Sequence, residues 1–135
     1  FINGKLENKK FLNKIRQINP KIKIFNGEYV SKNFNKYKKN NYLTFSGIGN
    51  PISFINTLKK YKIKYKSNLI YPDHYNYSKL DINRIKRIAY KKNLKILTTE
   101  KDYMKIPEEF KKEIDYIPID LVIQNEEKFI ELINN

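Results

Sequence analysis

The sequence predicts an α/β fold, a three-layer α/β/α sandwich built on a mainly parallel sheet. Three observations point there. From Lys21 onward, short apolar segments of strand length alternate with segments of helical period. The connections between them are short. Those connections carry capping and turn residues at the places where helices begin and strands end. Strands separated by helices pair in parallel through right-handed crossovers, with helices covering the sheet faces. Such a Rossmann-like sheet collects function in the loops at the carboxyl ends of its strands.

Each element follows from local residues. Leu6, Phe11, Leu12, Ile15 and Ile18 fall at helical spacing, and Pro20 ends that helix. Lys21 to Phe25 alternates Ile22 and Ile24 with lysine, the pattern of a half-buried strand, and Asn26-Gly27 signals a turn. Asn33 to Asn41 is polar and reads as a solvated loop or hinge. Tyr42 to Phe45 is a compact strand, followed by Ser46-Gly47-Ile48-Gly49-Asn50-Pro51. Asn50 suits an N-cap and Pro51 the first helical position, with Phe54, Ile55 and Leu58 on one face of a helix ending near Lys60.

Ile63 to Tyr71 contains the next strand, and Pro72-Asp73-His74-Tyr75 is a loop. Ser78 and Asp81 form a capping box with Asp in place of Glu, opening a helix through Leu80, Ile82, Ile85, Ile88 and Ala89 to about Lys92. Leu94 to Leu97 is a buried strand; either Thr98 or Thr99 can cap a short helix through Met104, and Pro107 stops it. Ile114 to Ile123 reads as one strand bent at Pro118. Asn125 then caps a last helix with Phe129, Ile130, Leu132 and Ile133 inward. The 135 residues read as a single domain, 1–135.

Composition narrows the function classes. Lys and Arg total 28 against 14 Asp and Glu, a net charge of +14. With no cysteine and one histidine, disulfide scaffolds, Cys-based zinc sites, thiol nucleophiles and His-rich metal sites are excluded. No metal site is expected. Lysine far outnumbers arginine and asparagine is abundant, so much of the charge is compositional. No aromatic RNA-binding motif, zinc-finger spacing or basic heptad appears, and no dedicated nucleic-acid partner is expected. Attraction to an anionic membrane surface is the better use of the charge, at about 1 kcal/mol per nearby cation.

Three loops fall at strand ends. Gly47 and Gly49 suit either an anion site at a helix N-terminus or a tight turn needing positive φ. The third glycine of a dinucleotide fingerprint is absent, and no G-x-x-x-x-G-K-[ST] occurs. Asp73-His74 is either a chemical pair facing a cleft or a loop histidine bonded locally. Thr98-Thr99-Glu100-Lys101-Asp102 is either a polar-ligand or interdomain loop or a helix N-terminus with acids in its first turn.

Taken in order, Phe45-Ser-Gly-Ile-Gly-Asn-Pro51 with Phe54, Tyr71-Pro-Asp-His-Tyr75 and Leu97-Thr-Thr-Glu-Lys-Asp102 resemble the carboxyl-terminal half of the tetraacyldisaccharide 4'-kinases, the lipid A kinases of Gram-negative bacteria. The resemblance is clear from about Tyr42 to Ile123 and looser upstream, where Phe25 to Val30 looks like the strand and turn before the glycine loop. It implies a two-domain enzyme that moves the γ-phosphate of ATP to the 4'-hydroxyl of tetraacyldisaccharide 1-phosphate. The P-loop half is missing here, so the chain, which opens on Phe1 and not Met, is expected to be one part of that enzyme and inactive alone.

The resemblance implies that His74, with Asp73 beside it, is catalytic at an interdomain site. It places Gly47, Gly49 and Asn50 at a cofactor-binding loop, and Thr99, Glu100, Lys101 and Asp102 at a substrate or interdomain loop. ATP and Mg²⁺ would be held mainly by the amino-terminal P-loop domain. That domain, the lipid A precursor and the anionic inner-membrane surface are the implied partners, at the cytoplasmic face. Tyr75 stands where many members have a second histidine, so no role passes to it. The alternative is a basic α/β module binding nucleotide, nucleic acid or an anionic membrane surface.

Overall fold

The computed structural model describes residues 2–3, 9–31 and 33–134, the first pair as backbone. In chain order the elements are β1 (Ile2–Asn3), α1 (Lys9–Ile18), β2 (Asn26–Val30), a 3₁₀ turn (Phe34–Tyr37), β3 (Asn41–Ser46), α2 (Pro51–Lys60), β4 (Lys64–Ile70), α3 (Lys79–Lys91), β5 (Lys95–Thr99), α4 (Glu100–Tyr103), α5 (Glu108–Lys111), β6 (Ile114–Ile117), β7 (Asp120–Ile123) and α6 (Glu126–Asn134). They fall into two compact units, Lys32–Pro118 and the pair of segments Phe1–Ser31 and Ile119–Asn135.

The larger unit is the predicted sandwich. Its sheet has four strands in the order β4-β3-β5-β6, all parallel. Side chains alternate across a strand, so neighbours on β3 and β5 serve opposite layers. Leu43, Phe45 and Ile96 pack with Ile82, Ile85 and Ala89 of α3 and with Phe110 of α5. Tyr42 and Leu97 pack with Phe54 and Leu58 of α2. Burial of side chains this size contributes roughly 2 kcal/mol each. The chain steps outward from β3 to β4, then crosses back to β5. The strand order therefore reverses between β3 and β5, the switch point at whose carboxyl ends open α/β sheets bind their ligands.

Local capping fixes where the helices start. Asn50 accepts a hydrogen bond from Ser53 N at 3.2 Å, with Pro51 opening α2. The Ser78–Asp81 capping box is present: Asp81 N donates to Ser78 Oγ at 3.2 Å and Ser78 N to Asp81 Oδ2 at 2.9 Å. The Ser78 hydroxyl, foremost, and its N–H hold the Asp81 carboxyl below the usual carboxylate range. A depressed folded-state pKa gives stability that is present above the unfolded value and lost as pH falls. Losing the N-cap hydroxyl in Ser78→Ala is expected to cost about 1 kcal/mol at neutral pH. Urea melts of variant and parent should converge as pH drops through the carboxylate range; a gap that widens instead would refute the box.

Several expectations change. Asn33 to Asn41 is mostly exposed, but Tyr37 within it is buried and its hydroxyl donates to Tyr116 O at 2.5 Å. The expected bent strand Ile114 to Ile123 is two strands, β6 in the parallel sheet and β7 in another, because Pro118 offers no N–H to a ladder.

The smaller unit holds a three-stranded sheet, β1-β2-β7, with β2 parallel to β1 and antiparallel to β7. Lys21 to Phe25 is not a strand, and Asn26-Gly27 is no turn: both residues lie in β2, where Gly27 pairs with Asn3 and Ile123. Pairing with segments distant in sequence overrides the local signals there. Of the first helix, Leu6 lies outside the described residues, and α1 buries no residue. The expected inward face of α6 is also corrected: Ile130, Leu132 and Ile133 are exposed, and only Phe129 is half-buried, edge-on to Phe25 at 5.2 Å.

Candidate functional site

Parallel topology brings the loops after β3, β4 and β5 to one end of the larger unit. Asp102 ties the first and third together. Its side chain is fully buried, and its Oδ2 accepts hydrogen bonds from Gly47 N at 3.0 Å and from the Thr99 hydroxyl at 2.7 Å. Thr99 Oγ1 in turn caps α4, accepting from Asp102 N at 3.1 Å. The Lys105 ammonium, itself sequestered, lies 3.8 Å from Asp102 Oδ1. Gly47 passes the connection on, because its carbonyl accepts from His74 N at 3.1 Å.

The glycines are there for close approach. Neither takes a positive φ, which removes the tight-turn explanation. A Cβ on Gly47 would lie 2.9 Å from the Tyr77 hydroxyl and 3.0 Å from both Pro72 O and Tyr75 Cβ. A Cβ on Gly49 would lie 3.0 Å from Asp73 Oδ2.

The positive φ belongs to His74, at 58°. This left-handed conformation is uncommon outside glycine. It is held by the His74 N–H, which donates to Gly47 O at 3.1 Å and to Asp73 Oδ1 at 2.9 Å. The imidazole is 73% exposed, with Nε2 3.8 Å from Asp73 Oδ2. Asp73 also lies 3.9 Å from Lys101 Nζ. The structure therefore brings Asp73, His74, Gly47, Gly49 and Lys101 together. Asp102 and Thr99 lie beneath them as supports, and the Asn50 side chain is committed to its helix cap.

Sequence reasoning missed the aromatic wall. Phe45, Tyr71, Tyr75 and Tyr77 pack edge-on or tilted, with Tyr77 centred between 5.1 and 5.2 Å from each of the other three. The signal was the repeat Tyr71, Tyr75, Tyr77 around the histidine. Burial, then the nearby Asp102 carboxylate, holds the Tyr77 phenol well above its usual range, so it stays protonated. Tyr75 donates to Asp81 Oδ2 at 3.1 Å, which raises its phenol too and links the histidine loop to the α3 cap.

The family model for tetraacyldisaccharide-1-P 4'-kinase matches residues 3–135. The chain belongs to that family. It is 44% identical to a tetraacyldisaccharide 4'-kinase of Pelagibacter ubique over 128 residues, covering 93% of this chain and 41% of the relative. The enzyme of the same name from Rickettsia typhi is 41% identical over 83 residues, 62% of this chain and 26% of the relative. That from Rickettsia bellii is 46% identical over 69 residues, 51% and 22% respectively. The chain thus spans well under half the length of these kinases. No solved structure matches it.

Kinases of this family use ATP, but the residues here do not fit a triphosphate or its metal. The Gly47 N–H is taken by Asp102 and the Ser53 N–H by Asn50, so neither is left to cradle phosphate. The Asp73 carboxylate over Gly49 would repel one. Among the described residues no group of three or more His, Asp or Glu could hold a metal ion.

Proposed function

We propose that this chain is the part of a lipid A 4'-kinase that supplies the histidine loop to an active site completed by an amino-terminal P-loop domain. The whole enzyme would transfer the ATP γ-phosphate to the 4'-hydroxyl of tetraacyldisaccharide 1-phosphate. The P-loop domain would hold ATP and Mg²⁺. The single observation that carries this reading is the outward imidazole of His74, on a main chain pinned in the left-handed region to the glycine loop that follows β3. A strained backbone held by two hydrogen bonds presets where the ring stands, as functional sites often do.

His74 would pair with a carboxylate from the other domain, orienting it to take the proton as the sugar oxygen bonds to phosphorus and the bond to ADP breaks. Asp73 steadies the loop, and Lys101 stands beside Asp73 at the approach. Work at the cytoplasmic face of an anionic inner membrane suits the net charge of +14. No helix among the described residues is long and apolar enough to cross a membrane.

The test is a chimaera in which residues 3–135 replace the matching segment of the Pelagibacter ubique relative. It should phosphorylate tetraacyldisaccharide 1-phosphate. His74→Ala should lower kcat about 10²-fold and leave KM within about threefold. A folded chimaera with no transfer, or a His74→Ala form with full kcat, overturns the reading.

A further inference from the structure

We infer that the opposite end of the larger unit, where the strands begin, carries a second site: a groove between α3 and the start of β5 that binds a phosphate group. The parallel sheet makes this end basic. The turns before β4, β5 and β6 all arrive there, bringing Lys62 and Lys64, Lys91, Lys92 and Lys95, and Lys111 and Lys112. Within it lies a groove of about 520 Å³, a size suited to a small ligand. Its floor is apolar, from Ala89, Leu94 and Ile96.

The rim is where the chemistry lies. Lys86 is neutralised by Glu113 at 2.5 Å and lies over the Phe110 ring. Arg87 and Lys95 line the same groove and have no carboxylate partner among the described residues. A guanidinium fork and an ammonium lining one groove suit the oxygens of a phosphate. Tyr90, 89% exposed, offers a ring on which the rest of a ligand can stack. The end of α3 would ordinarily repel an anion through its free carbonyls. Here two of them are occupied: Ala89 O accepts from Lys92 N at 3.2 Å and Leu94 N at 2.9 Å, and Tyr90 O from Asn93 N at 3.1 Å. Asn93 takes φ 50° to close that turn. This site is independent of the kinase reading, since it shares no residue with the histidine loop.

The phosphate could be free or part of a lipid headgroup, and the experiment separates the two. Labelled chain is titrated with inorganic phosphate and with pyrophosphate at constant ionic strength, and sedimented with phosphatidylglycerol and phosphatidylcholine vesicles. Saturable amide shifts at Arg87, Tyr90 and Lys95 are expected with a soluble ligand. Binding to phosphatidylglycerol vesicles alone, dependent on Arg87 and Lys95, assigns a headgroup. In either arm Arg87→Gln with Lys95→Gln should weaken binding about tenfold or more, whereas Lys64→Gln with Lys66→Gln, an equal loss of charge outside the groove, should change it less than about twofold. Equal weakening by both pairs, saturation only at residues 47–49 and 73–74, or no saturable binding in any arm overturns the proposal.

Discussion

Asp102→Ala is expected to destabilise the chain by about 4 kcal/mol, the range seen when one partner of a buried ion pair is removed. Three losses coincide. The Gly47 N–H loses an acceptor 3.0 Å away in a dry place. The Thr99 hydroxyl loses its acceptor at 2.7 Å. Lys105 keeps a sequestered charge with its carboxylate gone. Asp102→Asn separates these effects. The amide oxygen can still accept from Gly47 and Thr99, leaving mainly the Lys105 charge uncompensated, so it should cost clearly less than alanine. Guanidinium melts at constant m-value give both numbers. Because Gly47 relays Asp102 to His74, amide exchange at His74 should accelerate in the alanine variant ahead of exchange in the β3–β5 core. A loss under about 1 kcal/mol, or unchanged exchange at His74, would show that the carboxylate does not hold these loops.

That role was only half legible in the sequence. The caps at Asn50 and Ser78 could be read directly and that of α4 to one of two threonines, Thr98 or Thr99, since each rests on residues three positions apart. The parallel sheet followed from the alternation of strands and helices, and with it the meeting of three loops at one end. Which way Asp102 points was not legible. A charged residue in the first turn of a helix reads as a solvent-facing dipole partner, yet Gly47 N–H, 55 positions away, draws it inward. The smaller unit escaped for a similar reason. Its sheet joins β2 to β7 across nearly the whole chain, and nothing local in Asn26-Gly27 announces that pairing. The glycine loop was recognised and its cause mistaken, because backbone crowding by Tyr77 and Pro72 leaves no trace in the residues around Gly47.

Gly47→Val should cost about 3 kcal/mol, and the contrast with Gly49 tests the cause. The new Cβ at position 47 would meet the Tyr77 hydroxyl at 2.9 Å and Pro72 O at 3.0 Å. The Tyr77 ring is locked among Phe45, Tyr71 and Tyr75, and Pro72 O is main chain, bonded to Tyr75 N at 3.2 Å. Neither can swing aside, so the loop after β3 must move away from the loop after β4, lengthening the Gly47–His74 bond. Valine's branched carbons then add further clashes. At Gly49 the obstacle is Asp73 Oδ2 at 3.0 Å, the end of a half-exposed side chain that can rotate. Gly49→Ala should therefore cost under about 1 kcal/mol in a guanidinium melt while still displacing Asp73 from the histidine. The backbone amide and imidazole proton chemical shifts of His74, read by NMR at one fixed pH, report that displacement directly: they should change in both variants. Equal destabilisation at the two positions would mean that backbone freedom, and not the packing of Tyr77 and Pro72, dictates glycine at position 47.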